Sequence, residues 1–483
     1  MIGEILEVNF YLNRESKKII LALSMMGLKL TIPIFLIFLS SFSYSQQKNS
    51  IVVSSSGHSL EYEDGRPFFW LGDTAWELFH RLKIEEITEY LDNRKAKGFN
   101  VIQCVILAEL DGIRIPNRYG DLALIDEDPT QLNQAYFKLV DSVIELAQER
   151  EIYLAILPTW GDKVTLKYSG AGPVIFTKEN AHQFGRLLGA RYKKYNHIFW
   201  ILGGDRPAAD QEESWLEVYR SMATGLDAGS GKKTLKSFHP GGYIWESSPM
   251  LHQEKWMDFN MIQSGHARLD VPVWDLIQKD LSLLPKKPSL DAEPCYEDHP
   301  INPWNGWDPS KGYFRDWDVR RQLYRSVFAG GFGVTYGHHA IWQFYGPSFL
   351  PVNYPDRNWQ VAMDRPAAFQ AGFLKKLILS RPSKNRIPNQ LMILNQDSIE
   401  AKNFMTAFTD SGKTYAMIYL PNNKFVNLNM REFPSKNIRY QWFKPETGEL
   451  MEKKVVKVEE KMQLHVPINK NSTDWVLIID KIN

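Results

Sequence analysis

The chain has 483 residues, more than one ordinary domain holds and enough for a large domain followed by a smaller one. Its 57 Lys and Arg against 56 Asp and Glu leave it nearly neutral, so a nucleic-acid partner, which needs a basic face, has no support. The hydrophobic share of 44% marks a core-forming protein, and its two cysteines, Cys104 and Cys295, lack the spacing of a disulfide framework or a zinc site and read as buried thiols. The 15 tryptophans and 21 tyrosines suit either a large aromatic core or a carbohydrate cleft, where flat rings meet the C–H faces of sugars.

The N-terminus reads as a targeting segment. Lys29 precedes an apolar run from Leu30 to Leu39, and Ser43-Tyr44-Ser45 before Gln46 resembles a signal-peptidase site. Residues 1–45 are therefore set aside as signal peptide and N-terminal extension, and a secreted or periplasmic location is expected, with no stable membrane span after cleavage. A membrane anchor is the minor alternative. Ile19 to Leu23 extends the apolar stretch upstream, but Lys29 interrupts it and leaves each part short of the roughly 20 residues a span needs.

Short strands over 51–63 lead into the turn Asp64-Gly65-Arg66-Pro67. A repeating rhythm then begins. Phe68–Gly72 is an apolar run ending at Asp73-Thr74-Ala75-Trp76, and 83–97 has helical spacing. Val101–Leu107 is a buried strand, 131–150 an amphipathic helix, and Ile152–Leu157 the next strand. Helices over 178–195, 210–228, 270–280, 315–329 and 365–379 follow, with strands at 198–202, 235–238, 259–263, 289–292 and 333–336. Strands alternating with helices imply parallel βα units, and eight of them suggest a (β/α)8 TIM barrel over residues 46–384. A doubly wound sheet is the lesser reading, since no Gly-rich phosphate loop occurs. From about 385 the pattern changes to short alternating runs, among them Leu391–Leu394, Tyr415–Leu420 and Trp475–Ile479, so residues 385–483 read as a small all-β sandwich.

A barrel builds its site at the C-terminal ends of its strands. Those positions carry Asp73 and Trp76 after strand one, Glu109 and Asp111 after two, Trp160 and Asp162 after three, and Asp205 after four. His239 follows strand five and His266 strand six, Glu293 belongs to strand seven, and His338, His339 and Trp342 follow strand eight. Two carboxylates among aromatics, without a required metal or cofactor, fit glycoside hydrolysis. A retaining enzyme places its two carboxyls about 5–5.5 Å apart, one as nucleophile and one as acid/base. Asp205 and Glu293 are the pair read in those roles, with Asp73, Trp76, Trp160, His239, His266, His338 and Trp342 as substrate-binding residues. Other readings stand beside these. Arg206 could pair with Asp205 as a structural ion pair. Asp291 is the rival nucleophile, because two positions along a strand share one side. The histidines could be satisfied barrel residues or a metal set, the tryptophans core packing, and Asp73 a helix N-cap.

Four stretches carry a resemblance. Phe68 to Trp76 (FFWLGDTAW), Lys97 to Gln103 (KGFNVIQ), Trp200 to Asp205 (WILGGD) and Asp291 to Pro294 (DAEP), in this order, resemble the apiosidase-like glycoside hydrolases, of which glycoside hydrolase family 140 is the characterised branch. The resemblance covers about residues 55–380, and 385–483 looks like the small β-domain, labelled collagen-binding, that often follows. It implies a (β/α)8 barrel and a retaining mechanism, with the acid/base aspartate at Asp205 and the glutamate nucleophile at Glu293. Gln103, which closes the second motif, joins the substrate-binding set. Family 140 enzymes release apiose from side chains of pectic rhamnogalacturonan II. The expected protein is thus an exported retaining glycosidase acting on plant or algal oligosaccharides or polysaccharides. A catalytically inactive carbohydrate-binding barrel is the alternative, and a metal-dependent hydrolase using the histidines a third. The sequence leaves the oligomeric state open.

Overall fold

The computed structural model describes residues 50–482 apart from 169, 242–244, 302–308, 397–400 and 468–473. The expected signal segment, residues 1–45, lies outside the described residues. Among the described residues no helix is long and apolar enough to cross a membrane.

Eight parallel strands form the first layer: β1 (Trp70–Thr74), β2 (Val101–Leu107), β3 (Tyr153–Thr159), β4 (Ile198–Gly203), β5 (Lys236–His239), β6 (Asn260–Ile262), β7 (Ser289–Asp291) and β8 (Gly333–Tyr336). Their order is β5-β4-β3-β2-β1-β8-β7-β6. At the β5/β6 seam the amide of Asp258 donates to the Lys236 carbonyl (2.8 Å) and Ser237 Oγ to the Phe259 carbonyl (2.5 Å), so the ring closes there without a full ladder. Around it lie α1 (Ile84–Ala96), α2 (Gln134–Glu149), α3 (Lys178–Tyr192), α4 (Leu216–Ser230), α5 (Val273–Ser282), α6 (Asp316–Phe328) and α7 (Pro366–Leu379). Between β5 and β6 only the short helix Ser248–Leu251 intervenes.

The strands read as continuous apolar runs because both faces are covered. In β2, Val101 and Val105 face the barrel interior with Trp70, Phe199 and Phe259, while Ile102, Cys104 and Ile106 pack outward with Tyr90, Leu91, Tyr136 and Val140. A three-stranded antiparallel sheet (Ile51–Val53, Leu60–Tyr62, Pro67–Phe68) adds Ile51, Leu60 and Phe68 to the interior cluster, with Phe68 edge-on to Tyr153 at 5.1 Å. These aromatics fill the N-terminal part of the barrel and leave the opposite end open for a site.

The C-terminal part contains β9 (Arg386–Pro388), β10 (Thr406–Asp410), β11 (Tyr415–Leu420), β12 (Phe425–Asn429), β13 (Asn437–Lys444), β14 (Glu449–Leu450), β15 (Lys454–Lys457), β16 (Lys461–His465) and β17 (Trp475–Ile482). Seven strands form an antiparallel sheet ordered β9-β10-β11-β17-β13-β14, with β15 also paired to β13, and β12 pairs with β16 as a second sheet. The stretch expected as a strand at Leu391–Leu394 is instead a single 3-10 turn (Gln390–Met392) leading to one bridge, Ile393 with Leu428.

Period-two alternation explains how this sheet is used. Ala416, Ile418, Leu420, Leu477 and Ile479 face the β12–β16 layer. Tyr415, Met417, Tyr419, Val476 and Ile478 face the barrel and share one cluster with Leu323, Tyr324 and Val327 of α6 and Leu374 and Leu377 of α7. Arg320 of α6 reaches both oxygens of Asp474 (2.9 and 2.8 Å), and Tyr419 donates to the same carboxylate at 3.0 Å. Removing one member of such a buried pair typically costs about 3–5 kcal/mol, because the other charge stays behind unpaired.

Candidate active site

A cleft opens at the C-terminal ends of the barrel strands. Asp205, Glu293, Glu109, His266, Trp76, Trp160 and Trp342 are among its lining residues. β4 delivers Asp205 through a backbone that requires glycine at positions 203 and 204. Gly203 and Gly204 have φ of 89° and 96°, and Asp205 itself sits at 53°. A Cβ on Gly203 would lie 2.3 Å from the His239 carbonyl, and one on Gly204 would lie 2.8 Å from the Trp160 ring. The two glycines thus let strand four turn tightly between its neighbours and aim the aspartate inward. Asp205, a non-glycine residue in the left-handed region, carries the kind of local strain that persists where the surroundings over-determine it, often at functional sites.

One oxygen of Asp205, one oxygen of Glu293 and one imidazole nitrogen of His239 lie within 4.8 Å of one another. His239 Nε2 is 2.8 Å from Glu293 Oε2, and His266 Nε2 is 3.5 Å from Oε1. The Tyr296 amide donates to His266 Nδ1 (3.3 Å), which leaves the ring proton on the nitrogen facing Glu293. Gln263 Nε2 donates to Asp205 Oδ1 at 2.8 Å. Arg206 does not need the Asp205 carboxylate for its placement: Nη1 donates to the Asp205 main-chain carbonyl (2.8 Å) and Nε to that of Thr165 (3.3 Å).

The two carboxyls are pushed apart electrostatically. Burial and the Glu293 charge raise Asp205 to about 6, against smaller opposing effects of His239, Gln263 and Arg206. Burial also works against the Glu293 charge, but the hydrogen bonds and charges of His239 and His266 outweigh it and hold Glu293 below the usual carboxylate range. His239 is raised in turn: burial opposes its charge, and Glu293 and Asp205 more than offset that. One carboxyl that holds its proton up to about pH 6 therefore faces one that stays ionised, which is the pairing needed to protonate a leaving group and attack the carbon it leaves. The same three donor groups are compact enough to chelate a cation.

The aromatic residues gather as a wall. Trp76 and Trp160 lie 5.2 Å apart by ring centroid, and both pack on His239 at 5.2 and 5.9 Å. Trp342 anchors its indole N–H on His339 Nδ1 at 3.3 Å. The structure thus brings together Asp205, Glu293, His239, His266, Trp76, Trp160 and Trp342. Three residues of the expected set stand away from the cleft. Asp73 points outward from β1, where Tyr90 (2.6 Å) and Arg94 (2.5 Å) of α1 hold its fully buried carboxylate. Gln103 does point into the barrel, but one layer below the cleft, and donates across it to the Ala292 carbonyl at 2.9 Å. His338 is fully buried, with Asp298 at 3.2 Å on Nε2 and the Ala340 amide donating to Nδ1 at 3.0 Å. Asp291, the rival nucleophile, accepts from Ser264 Oγ (2.8 Å), which in turn accepts from Gln322 of α6 (3.0 Å).

Sequence reasoning left out Gln263, Tyr296, His299 and Trp245, all of which line the cleft. Gln263 directly follows β6 and was reachable by the strand-end rule. Tyr296 and His299 sit in the loop after β7 and carry no local signal. His299 stacks on His266 at a centroid distance of 4.0 Å, and Tyr296 packs against it tilted at 4.4 Å.

Residues 54–385 match the family model described as the apiosidase-like catalytic domain. Residues 387–480 match a second, described as a proposed collagen-binding domain of a collagenase. Among solved structures, the chain is similar to a glycoside hydrolase family 5 protein from Bacteroides vulgatus ATCC 8482, with 28% identity, a TM-score of 0.80, and 90% of this chain and 94% of that one covered. A second structure, titled glycoside hydrolase, has 28% identity, a TM-score of 0.81, and 90% and 98% covered. No curated protein sequence matches the chain.

Proposed function

The chain belongs to the apiosidase-like family and is a glycoside hydrolase, and we propose that it works by a retaining mechanism with Glu293 as nucleophile and Asp205 as acid/base. The observation that carries this reading is the approach of their carboxylate oxygens to within 4.8 Å. That spacing suits the roughly 5–5.5 Å of retaining pairs rather than the roughly 6.5–9.5 Å that an inverting enzyme needs to admit a water. In the first step Glu293 attacks the anomeric carbon while Asp205 gives its proton to the departing glycosidic oxygen. The product is a covalent glycosyl-enzyme. In the second, Asp205, now ionised, takes a proton from the incoming water, which displaces Glu293. His239 and His266 keep Glu293 ionised and aimed, the buried Trp76 and Trp160 back the cleft, and Trp342 lines it where the sugar would lie.

The substrate read from the family is a plant or algal polysaccharide fragment, with apiose as the leading sugar. Export rests on the segment before Gln46. Residues 46–384 serve as the catalytic unit and 385–483 as an accessory one. The test is a screen of pectic and algal oligosaccharides with product identification, followed by Asp205→Asn and Glu293→Gln on the glycan that is cleaved. Both variants should lose turnover, and Glu293→Ala should regain it with azide, giving a glycosyl azide of inverted configuration. Near-wild-type turnover in either of the first two variants would end the assignment.

A further inference from the structure

The cleft holds a third carboxyl, Glu109, two residues past the end of β2. Its main chain is pinned from both sides. Glu77 Oε1 accepts from the next amide, that of Leu110, at 3.0 Å, and the buried Lys163 donates to the carbonyls of Ala108 (2.8 Å) and Glu109 (3.4 Å). The neighbouring ionisable groups are already engaged. Lys163 pairs with Asp162 at 2.8 Å, Glu77 with His80 at 2.6 Å, and Arg81 donates to the Gln343 carbonyl at 2.8 Å. Asp205 has Gln263 and Glu293 has His239, whereas among the described residues no hydrogen bond or ion pair engages the Glu109 carboxyl. A rigidly mounted polar group left open to a cleft is arranged for a ligand rather than for the fold.

Its place around the barrel says which part of the ligand. In the order β5-β4-β3-β2-β1-β8-β7-β6, β2 is separated from β4 by one strand and from β7 by two. Glu109 therefore occupies a third corner of the opening, beside the bond that Asp205 and Glu293 straddle. We propose that Glu109 is a specificity-determining residue that grips two adjacent hydroxyls of the sugar held next to the scissile bond. A neutral carboxyl suits that task, because it donates from one oxygen and accepts at the other. Burial and the surrounding charges of Asp205, Glu77, Asp162 and Glu293 hold Glu109 well above the ordinary glutamate range, with Arg81 as an opposing charge.

The inference rests on the glycosidase reading, and the test separates the two. Full-length wild type, Glu109→Gln and Glu109→Ala are assayed on para-nitrophenyl apioside. A glutamine amide donates and accepts as a protonated carboxyl does, so Glu109→Gln should keep kcat/KM within about threefold, whereas Glu109→Ala should raise KM about tenfold or more with a smaller change in kcat. An unchanged KM in Glu109→Ala overturns the proposal, and so does a collapse of kcat in both variants that azide repairs in Glu109→Ala, which would make Glu109 a reacting group. If wild type leaves the apioside intact, the apiose reading fails by itself. Saturation-transfer NMR with free pentoses, hexoses and their deoxy analogues then decides on Glu109. Binding that needs adjacent hydroxyls, survives in Glu109→Gln and is lost in Glu109→Ala supports the grip, and equal binding in all three proteins refutes it. Should Glu109→Ala fail to fold, the deoxy analogues against wild type and Glu109→Gln carry the same comparison.

Discussion

Gln263→Met tests the electrostatics of the acid/base residue while leaving both reacting carboxyls in the chain. Gln263 donates to Asp205 Oδ1 at 2.8 Å, a bond that favours the ionised form. Asp205 lies at about 6 because burial and Glu293 outweigh that donor. A hydrogen bond to a charged group contributes about 1.5 kcal/mol, which at about 1.36 kcal/mol per unit is about one pKa unit. The cleft admits solvent, so a shift of about half a unit to one unit is expected. The sign follows directly: losing the donor disfavours the carboxylate, the proton is held to higher pH, and the alkaline limb of the activity profile moves upward. The assay is kcat/KM against pH on the glycan that wild type cleaves, since that ratio reports the free enzyme. Wild type should decline above about pH 6 and Gln263→Met at about 6.5–7. A limb that stays in place, or moves toward acid, would refute Asp205 as the proton donor.

Other outcomes follow from the same geometry. Asp73→Ala strands the buried Arg94 charge and should cost about 3–5 kcal/mol in urea unfolding, while KM changes little because Asp73 does not reach the cleft; a large KM effect would contradict its outward placement. Burial raises Asp280 to about 6 and Asp291 and Glu297 to about 7. A carboxyl raised on folding contributes stability that is fully present below its unfolded pKa of about 4 and is lost as pH rises through the folded value. Replacing Asp291 with Asn removes that loss, so the Tm of Asp291→Asn relative to wild type should rise between about pH 5.5 and about pH 8, and a difference that does not change with pH would oppose the assignment. Hydrolysis should persist in EDTA; its loss, restored by a divalent cation, would mean that Asp205, His239 and Glu293 chelate a metal.

The barrel was legible because β2, β3 and β4 are covered on both faces and appear as unbroken apolar runs with helices between them. The placement of Asp205 and Glu293 at the cleft was legible because each lies two residues past the end of a strand marked out in the sequence. Asp73 misled for a reason visible only in register. Along β1, Trp70 points into the barrel and Leu71 outward, so Asp73 also points outward, toward α1. The side of a residue cannot be fixed until the strand's first inward position is known, and an apolar run hides it. Asp291 and Glu293 show the converse. Alternation puts them on one side, but β7 ends at Asp291 and the chain turns, so the two carboxyls part: one toward Ser264, the other into the cleft. The cleft loops after β7 and β8 stayed unread, since Tyr296, His299 and Asn353 owe their positions to long-range contacts. His339 Nε2, for example, is fixed at 2.7 Å by the Asn353 carbonyl.

The large C-terminal sheet is covered on both faces, and this bears on how the two matched sequence regions can be inherited. A domain that hangs on a linker can be exchanged for another by recombination at the linker. Here an exchange near residue 386 would uncover Leu323, Tyr324 and Val327 on the barrel and Met417, Tyr419 and Ile478 on the sheet at once. It would also leave Arg320 buried without Asp474, two positions along α6 from the Gln322 that steadies Ser264 at the cleft. A replacement domain would have to match that footprint, so the pair is expected to travel through descent as one piece, and new partners for the C-terminal half would have to evolve at its edges and loops.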